Sequence, residues 1–424
     1  MIGSNTDLLV IFLLQIGMML MVGLIFGQLM RKISQPIVLG EIIGGIILGP
    51  TVFRFLLPDI YIKLFPGEME LIQAREVVIK IGMLFFMFVA GLEVNLTQLQ
   101  HQKKSIFLVS FLGCLFPFCL GVAAIFMFPG IWGQLPDGKS LIFKLYIGIA
   151  LSISALPVIT RILMDMNLQK APLGSVVITS AAINDLLGWA FFALLLSSVS
   201  GDSLETGLLK TIALTVAFTL LILVAGRHIG KTIFKWARQA LVWPSGFLGV
   251  TAVFIFLAAA IAEMMNIHAI FGAFLIGVAL FSVFEQNVAG EVKEIIYQFA
   301  VSLFAPLYFV SVGLKANFAA NFDVQLVLLI ILLATVGKVG GAGVGAWLSG
   351  IKFKDSVAIG FAMNARGAME IILASVALDF GLIDNRIFVA LVTMALVTSM
   401  MSGPMLQWLL KLPKTLAVNK LMKK

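Results

Sequence analysis

The stretch IGIALSISALPVITRILM, residues 147–164, has the length and apolar composition of a helix that crosses a lipid bilayer, yet its middle is interrupted. Ser152 and Ser154 lie at the centre, and Pro157 follows them. Proline has no N–H group, and its ring clashes with the preceding turn of a helix. We therefore expect a broken helix at Pro157 whose freed carbonyl groups must be satisfied by protein or by a bound ion.

The rest of the chain is equally apolar. Of its 424 residues, 61% are hydrophobic and only 12% are charged, and the mean hydropathy is +1.09, which excludes a soluble globular protein. The apolar runs lack the alternation of a β-barrel, so the sequence predicts an all-α polytopic membrane protein with about 13 transmembrane helices. The predicted spans are 7–30, 36–57, 74–95, 105–129, 141–164, 171–200, 204–227, 245–265, 268–284, 299–316, 323–348, 355–378 and 385–409.

Segment 7 divides the chain into two sets of six. It ends in a basic amphipathic stretch, residues 226–246, which we expect to lie on the inner membrane surface. Because one extra segment separates the two sets, the second set starts from the opposite side of the membrane. This arrangement predicts an inverted repeat, which is common in secondary transporters.

Corresponding interruptions support the repeat. The broken stretch at Pro157 is the fifth segment of the first set, and VAIGFAMNARGAMEIILA, residues 357–374, is the fifth of the second. Asn364, Arg366, Gly367 and Glu370 occupy its middle. Paired interruptions of this kind predict the binding site of a transporter.

Most of the 29 Lys and Arg residues fall in loops that are inside if the N-terminus is outside. We therefore expect the N-terminus outside and the C-terminus in the cytoplasm, with the chain integral to a bacterial inner membrane. The net charge of +8 is then a topology signal and predicts no nucleic-acid partner. The cysteines and histidines show no metal-ligand spacing, so no cofactor is predicted.

Asp185 lies about midway along segment 6, in SAAINDLLGWAFFALL, residues 180–195. An ionised group at the bilayer centre costs about 2.5–3.5 kcal/mol on insertion scales. Because burial disfavours the bare charge, such a carboxylate binds either a proton or a small cation. Asp185 is therefore the predicted site of a monovalent metal cation and of the proton; the alternative is a fixed ion pair between helices.

Oxygen atoms near Asp185 can complete a site for Na⁺, Li⁺ or K⁺. The candidates are the side-chain carbonyl of Asn184, the hydroxyls of Ser152, Ser154 and Thr160, and the carbonyls freed near Pro157. The alternative for the hydroxyls is a hydrogen bond to a carbonyl of their own helix.

Further charges lie at membrane depth. Lys338, in a glycine-rich helix, is predicted to balance Asp185 when the cation is absent, to satisfy the break in segment 5, or to titrate itself. Arg366 and Glu370 are four residues apart, so they are expected to form a pair on one helix face, or else to compensate the half-helix ends at the break.

Several blocks together resemble the monovalent cation:proton antiporter family, in the second subfamily that contains sodium/proton and potassium-efflux antiporters. They run in order from about Glu41 to Gln407 and include IVLGEIIGGIILGPT, SISALPVITRIL, SAAINDLLGW, IHAIFGAFLIGVAL and GFAMNARGAMEI. The resemblance implies a single transporter domain, 1–424, that assembles as a homodimer. Segments 4–6 and 11–13 would form a core that moves like an elevator against a dimerisation part of segments 1–3 and 8–10.

The resemblance also assigns roles. Segments 5 and 12 would cross at the ion site, and Asp185 would carry the cation and the proton. Asn184 falls where paired-aspartate members have Asp, and members with Asn-Asp are usually electroneutral, which implies one-for-one exchange. The lysine that matches Lys338 bonds to the first aspartate in the paired branch. Only about fifteen residues follow the last span, without GxGxxG, so no cytosolic regulatory domain is expected.

The predicted function is thus secondary antiport of a cation, Na⁺ or Li⁺ in preference to K⁺, against protons, and not an enzymatic reaction. Potassium/proton antiport is the first alternative. An organic-anion carrier on the same scaffold would use Arg366 as its basic group. An intramembrane protease would need a second acid beside Asp185.

Overall fold

The chain is almost entirely helical in its described part. The computed structural model describes residues 5–33, 35, 37–92, 102–133, 140–166, 168, 171–199, 204–265, 267, 269–284 and 290–411. Two short π-helical turns, Ile222–Gly226 and Ala300–Phe304, join successive helices there. The α-helices of the described residues are α1 Asn5–Lys32, α2 Ile37–Leu48, α3 Phe53–Leu56, α4 Pro58–Leu64, α5 Met69–Leu92, α6 Lys103–Met127, α7 Pro129–Trp132, α8 Ser140–Ser152, α9 Leu156–Asp165, α10 Pro172–Val199, α11 Leu204–Leu221, α12 Arg227–Ala240, α13 Ser245–Met264, α14 Ala269–Phe284, α15 Gly290–Phe299, α16 Ala305–Lys315, α17 Phe318–Asn321, α18 Val324–Leu348, α19 Phe353–Met363, α20 Ala368–Asp379 and α21 Asn385–Leu410.

The helices account for the predicted membrane segments. Within the described ranges, eight helical stretches are long and apolar enough to cross a bilayer by length and composition. Shorter apolar helices, Ser140–Ser152, Pro172–Asn184 and Ala269–Phe284, fall on predicted segments 5, 6 and 9. Segment 3 corresponds to α5, and segment 12 to the pair α19 and α20. The prediction of an all-α polytopic membrane protein is confirmed.

The helices cluster into two units. Unit 1 comprises 1–29, 40–95 and 196–316, and unit 2 comprises 30–39, 96–195 and 317–424. Unit 1 therefore contains α3 to α5 and α11 to α16, whereas unit 2 contains α6 to α9, most of α10 and α17 to α21. All the predicted site residues belong to unit 2.

Within unit 1, the basic stretch after segment 7 packs against protein. It forms α12, which continues from α11 through the π-helical turn Ile222–Gly226 without an intervening loop. Phe234 on α12 is buried against Phe247, Phe254 and Phe284, with ring centroids 4.4 to 5.7 Å apart. The predicted amphipathic helix at the end of segment 7 is therefore present as the end of a longer helix, and its aromatic face packs on α13 and α14; its place on the inner membrane surface stays a prediction.

Within unit 2, α18 lies directly on the backbone of α6. A Cβ atom on Gly337 would lie 2.8 Å from Cα of Pro117, and Cβ atoms on Gly341 and Gly345 would overlap backbone carbonyls of α6. These glycines recur every four residues and so share one face of α18. The close approach that they permit brings the side chain of Lys338 into α6.

The two interrupted segments are broken as predicted. Helix α8 ends at Ser152 and α9 begins at Leu156, while α19 ends at Met363 and α20 begins at Ala368. Pro157 is the second residue of α9, in the first turn, where its missing N–H group costs no hydrogen bond. The break therefore lies before Pro157, and the unsatisfied carbonyls are those at the end of α8.

Candidate ion site at the crossing of two broken helices

The two breaks are hydrogen-bonded to each other. The hydroxyl of Ser154 donates to the carbonyl of Met363 at 2.8 Å, and the amide N–H of Ala155 donates to the carbonyl of Ala365 at 3.0 Å. Four half-helix ends therefore meet at one point within unit 2. The end of α8 carries partial negative charge, and so does the end of α19, because their last carbonyls have no helical donors.

Arg366 neutralises the end of α8. Its Nη1 donates to the carbonyl of Ala150 at 2.9 Å, and its Nη2 donates to the carbonyl of Leu151 at 2.6 Å. The side chain is completely buried. A planar guanidinium suits this task, since its donors form a rigid fork that can bind two adjacent carbonyls.

Arg366 is also paired with Glu370. Its Nη1 lies 2.9 Å from Oε1 of Glu370, and the two residues are four apart, as predicted. Glu370 occupies the first turn of α20, where a carboxylate is favoured by the helix dipole. The two alternatives offered by the sequence are thus both present, because the same two side chains form a pair and compensate two half-helix ends.

Lys338 is the second cation at the end of α8. Its Nζ donates to the carbonyl of Gly113 on α6 at 2.9 Å and to the carbonyl of Ser152. The side chain is completely buried. Of the roles predicted for Lys338, this geometry places it at the break in segment 5.

Asn184 joins this group from α10. The side-chain amide can be oriented so that its nitrogen and its oxygen are both hydrogen-bonded. In that orientation the nitrogen donates to the carbonyl of Ser110 at 3.1 Å, and the oxygen accepts from Nζ of Lys338 at 3.1 Å. Asn184 is fully buried. Asp185 follows it on the same helix, but the side chain of Asp185 lies outside the described residues.

The predicted hydroxyl ligands differ in their surroundings. The hydroxyl of Ser152 lies 2.7 Å from the carbonyl of Gly148 in its own helix and 2.8 Å from that of Cys114, whereas that of Ser154 binds across the crossing. Thr160 lies in α9, beyond the break, and is only half-buried. The structure therefore brings Ser152 and Ser154 to the crossing, and it shows no hydrogen bond from the hydroxyl of Thr160 to a described residue.

Asn364 and Gly367 flank the second break. Asn364 is the C-cap of α19 and fully buried; its Nδ2 lies 3.5 Å from the hydroxyl of Thr335, and its Oδ1 has no hydrogen-bond partner among the described residues. Gly367 is the N-cap of α20, and a Cβ atom there would lie 2.6 Å from Cγ2 of Val158. Its missing side chain permits the close crossing of the two breaks.

Two contributors were not predicted from the sequence. Ser399 on α21 accepts from the backbone N–H of Arg366 at 3.0 Å and donates to the carbonyl of the same residue. Gly113 supplies the carbonyl for Lys338. The sequence contains few local signals for these two contributors. Ser399 is a polar residue within an apolar segment, and Gly113 is followed four residues later by a proline.

The chain matches the family model described as sodium/hydrogen exchanger, transmembrane, over residues 16–412. It is 31% identical over 408 residues to the Na(+)/H(+) antiporter NhaS4 of Synechocystis, an alignment that covers 95% of this chain and 97% of that protein. It is 27% identical to the Na(+)/H(+)-K(+) antiporter GerN of Bacillus cereus, covering 94% and 96% of the two chains.

Other relatives are longer. The chain is 28% identical to the K(+)/H(+) antiporter 1 of Saccharomyces cerevisiae, with 95% of this chain aligned to 47% of that protein. Among solved structures, the sodium proton antiporter MjNhaP1 of Methanocaldococcus jannaschii superposes with a TM-score of 0.67 at 14% identity, covering 96% of this chain and 99% of that one. The likeness to that structure concerns the fold.

Proposed function

Because this chain belongs to the sodium/hydrogen exchanger family, we propose that it is an antiporter that exchanges one monovalent cation for one proton across a bacterial inner membrane. The observation that carries the proposal is the crossing of two broken helices in unit 2, beside the helix that holds Asn184 and Asp185. Broken helices of this kind present unused backbone groups at membrane depth, where a dehydrated ion can be bound.

Asp185 is the exchanging group in this proposal. It binds the cation when deprotonated and the proton when the cation has left, so that the two substrates compete for one carboxylate. Oxygen atoms at the crossing, from Asn184, Ser152 and Ser154, are hard ligands of the type that alkali cations prefer. Thr160, in α9, remains a candidate ligand in this proposal.

The proposed stoichiometry is one cation for one proton. Arg366 is committed to Ala150, Leu151 and Glu370, and Lys338 is bound to carbonyls at the same half-helix end. These fixed charges balance the helix termini and leave Asp185 as the group whose charge changes. Such exchange moves no net charge and is electroneutral.

Na⁺ is the preferred cation in this proposal, and Li⁺ is expected to follow it because both are small, hard ions. NhaS4, which aligns along almost its whole length, is named a Na(+)/H(+) antiporter. Potassium/proton antiport is the second candidate, favoured by the names of GerN and the yeast relative. An organic-anion carrier is disfavoured, because the buried guanidinium of Arg366 is already engaged.

We further propose that unit 2 carries the ion in an elevator-type movement, and that unit 1 forms the interface of a homodimer. The support is that the site residues all fall in unit 2, whereas the segments assigned to dimerisation by resemblance fall almost entirely in unit 1. The N-terminus is placed outside and the C-terminus in the cytoplasm from the distribution of Lys and Arg.

The test is transport by purified protein in liposomes with an acidic interior. Addition of Na⁺, Li⁺ or K⁺ outside is expected to raise the luminal pH, with Na⁺ acting at the lowest concentration. Asp185→Asn should abolish this response, while Glu70→Gln, an exposed change in unit 1, should retain it. A mutant Asp185→Asn that exchanges as well as wild type would refute the assignment.

A further inference from the structure

We propose that a groove in unit 1, between the continuous helix α11–α12 and helix α13, binds an acyl chain of an anionic phospholipid. This α12–α13 groove has a volume of about 710 Å³, within the range of about 300–1,000 Å³ that is usual for small-molecule sites. Its walls come from the end of α11, from α12 and α13, and from one residue of α14. All of them lie in unit 1, whereas the predicted ion site lies in unit 2.

The walls of the α12–α13 groove are apolar, and no charged side chain lines it. Ile229, Ile233 and Trp236 form the wall on α12, and their spacing of four and three residues places them on one helix face. Val253 and Leu257 belong to the wall on α13. Apart from Ile233, these side chains expose 51% to 57% of their surface. A continuous apolar surface of this kind is typical of a site that is covered by a partner or by lipid.

The length of the groove matches one leaflet of a bilayer. The walls run from residue 221 to residue 241 on one side and back from Gly246 to Ile261 on the other. The shorter side corresponds to about 22 Å of helix at 1.5 Å per residue. The hydrocarbon core of a bilayer is about 30 Å thick, so one leaflet measures about 15 Å. An acyl chain that lies along the groove can therefore remain in contact with it over the whole leaflet.

A glycine leaves space inside the groove. Gly249 lines it one turn after the start of α13 and is exposed. A Cβ atom on Gly249 would have no neighbouring atom within 4 Å. The space beside Gly249 is therefore open, and a large side chain at this position would fill the groove without displacing protein atoms.

Positive charge lies at the end of the groove where α12 ends. Lys235 and Arg238 flank Trp236 in the last two turns of α12, and both are exposed. Helix α12 contains five basic residues, counting His228, and no acidic one. Long basic side chains keep their charge in water while their stems cover apolar surface, and tryptophan is enriched at the same level of a membrane. The combination is typical of contact with lipid headgroups.

The start of α13 adds to this charge. Helix α13 begins at Ser245 without an acidic residue in its first turn, so its N-terminus contributes partial positive charge. The carboxylate of Glu291, which lies beside the loop between α12 and α13, accepts a hydrogen bond from the indole nitrogen of Trp243 at 3.1 Å. The end of the groove is thus complementary to a phosphate group.

These features select one ligand chemistry. The apolar walls bind a hydrocarbon chain, and the basic end binds a negative headgroup, so that the two parts of a phospholipid are recognised together. A zwitterionic lipid would use the walls but gain less from the charges. The expected topology places this end in the cytoplasm, and the cytoplasmic leaflet carries a negative surface potential that attracts basic segments.

Thermal unfolding of the purified, delipidated full-length protein in detergent tests the proposal. A ligand that binds the folded state raises the unfolding temperature. We expect palmitoyl-oleoyl phosphatidylglycerol to do so at a concentration on the order of tenfold lower than phosphatidylcholine with the same chains. Dihexanoyl phosphatidylglycerol, which has the headgroup without long chains, should cause no rise. Equal effects of the two long-chain lipids overturn the anionic preference, and an equal effect of the short-chain lipid overturns the role of the groove.

Gly249→Phe tests the groove directly. The phenyl ring should occupy the space of the acyl chain and abolish the effect of phosphatidylglycerol. Gly17→Phe is the matched control, because a Cβ atom on Gly17 in α1 also has no neighbour within 4 Å, and Gly17 lies outside the groove. It should respond to phosphatidylglycerol as wild type does. A normal response of Gly249→Phe contradicts the proposal.

The double variant Lys235→Gln/Arg238→Gln tests the charged end. The concentration of phosphatidylglycerol for a half-maximal rise should increase about thirtyfold, while the response to phosphatidylcholine stays unchanged. Lys103→Gln/Lys104→Gln removes two exposed lysines of unit 2 and controls for net charge. Equal weakening in both double variants refutes a local site. If Gly249→Phe does not fold, the Lys235/Arg238 variant decides, and an unchanged dependence on phosphatidylglycerol overturns the proposal.

A second copy of this chain is the other occupant that an apolar groove could bind. Light scattering gives the mass of delipidated wild type and of Gly249→Phe. A smaller mass for the variant would make the groove an interface between copies and overturn the proposal, whereas equal masses together with a lost response to phosphatidylglycerol support it. None of these measurements involves transport, so their outcome is independent of the proposed antiport.

Discussion

Arg366 and Glu370 form an ion pair at the start of α20 in which both side chains are buried, with exposed fractions of 0% and 2% and Nη1 of Arg366 2.9 Å from Oε1 of Glu370. The same guanidinium holds two carbonyls at the end of α8. The pair therefore links the two broken helices. Arg366 binds carbonyls at the end of α8, and Glu370 places a negative charge in the first turn of α20, where the helix dipole favours it.

Replacing Glu370 by Gln is expected to destabilise the protein by about 3–5 kcal/mol, because removal of one partner leaves a buried charge uncompensated. The measurement is the free energy of unfolding in detergent at neutral pH. Glu70→Gln, which changes an exposed glutamate, serves as the control. Equal stability of the two variants would show that the pair contributes nothing to the fold.

Gly341→Ala should separate α18 from α6, because the added Cβ atom would overlap the backbone carbonyl of Leu112. We expect a loss of about 1–3 kcal/mol from overpacking, together with slower exchange, since Lys338 lies on the same helix. Gly343→Ala is a matched control on α18, where the nearest atom would be 3.4 Å away. If both variants unfold at the same temperature, close contact of these helices is not required.

Gly367→Ala is expected to disturb the crossing. The new methyl group would lie 2.6 Å from Cγ2 of Val158 and 3.3 Å from Cβ of Ala155. Exchange by the purified protein should fall on the order of tenfold or more, because small displacements at a binding site have large effects on rate. Val158→Ala in the same chain removes the clashing atom and should restore part of the rate; no recovery would place the defect elsewhere.

Asn184→Asp should make exchange sensitive to membrane potential. The substitution places a second carboxylate where the amide oxygen lies 3.1 Å from Nζ of Lys338. With carboxylates at both position 184 and position 185, two protons can be exchanged for each transported cation. Each cycle then moves net charge across the membrane. The measurement compares rates in liposomes with and without an imposed potassium diffusion potential. Wild type and Asn184→Ala should show no dependence on the potential, and equal rates for Asn184→Asp would contradict the proposed stoichiometry.

The local sequence was sufficient for the helices and for both breaks. Apolar length predicted the membrane segments, and the interruptions at Pro157 and at Asn364 to Gly367 predicted where two of them divide. The pairing of Arg366 with Glu370 followed from their spacing of four residues. These features depend on neighbours within a few turns, which a single sequence contains.

Details of helix packing were predicted less well. The sequence predicted an amphipathic helix at the end of segment 7, but it did not show that Phe234 on this helix is buried against α13 and α14. Proline was recognised as a helix breaker at 157, whereas Pro117 lies within an unbroken helix. Proline tends to interrupt a helix wherever it occurs. Packing against the neighbouring helix decides whether the helix breaks, as it does before Pro157, or continues with one carbonyl that lacks its helical donor, as it does at Pro117.

By itself, the sequence determined that this chain is a helical membrane protein with two interrupted segments, since hydropathy, length and spacing act locally; the carboxylate of Asp185 at membrane depth stays a prediction. Only the tertiary structure decided which groups the buried cations bind. Lys338 reaches Gly113 and Ser152, which are 225 and 186 residues away, and Arg366 reaches Leu151 across 215 residues. The physical reason is that each buried cation must bind acceptors that other helices leave unused, and helix packing decides which of these lie within hydrogen-bond distance.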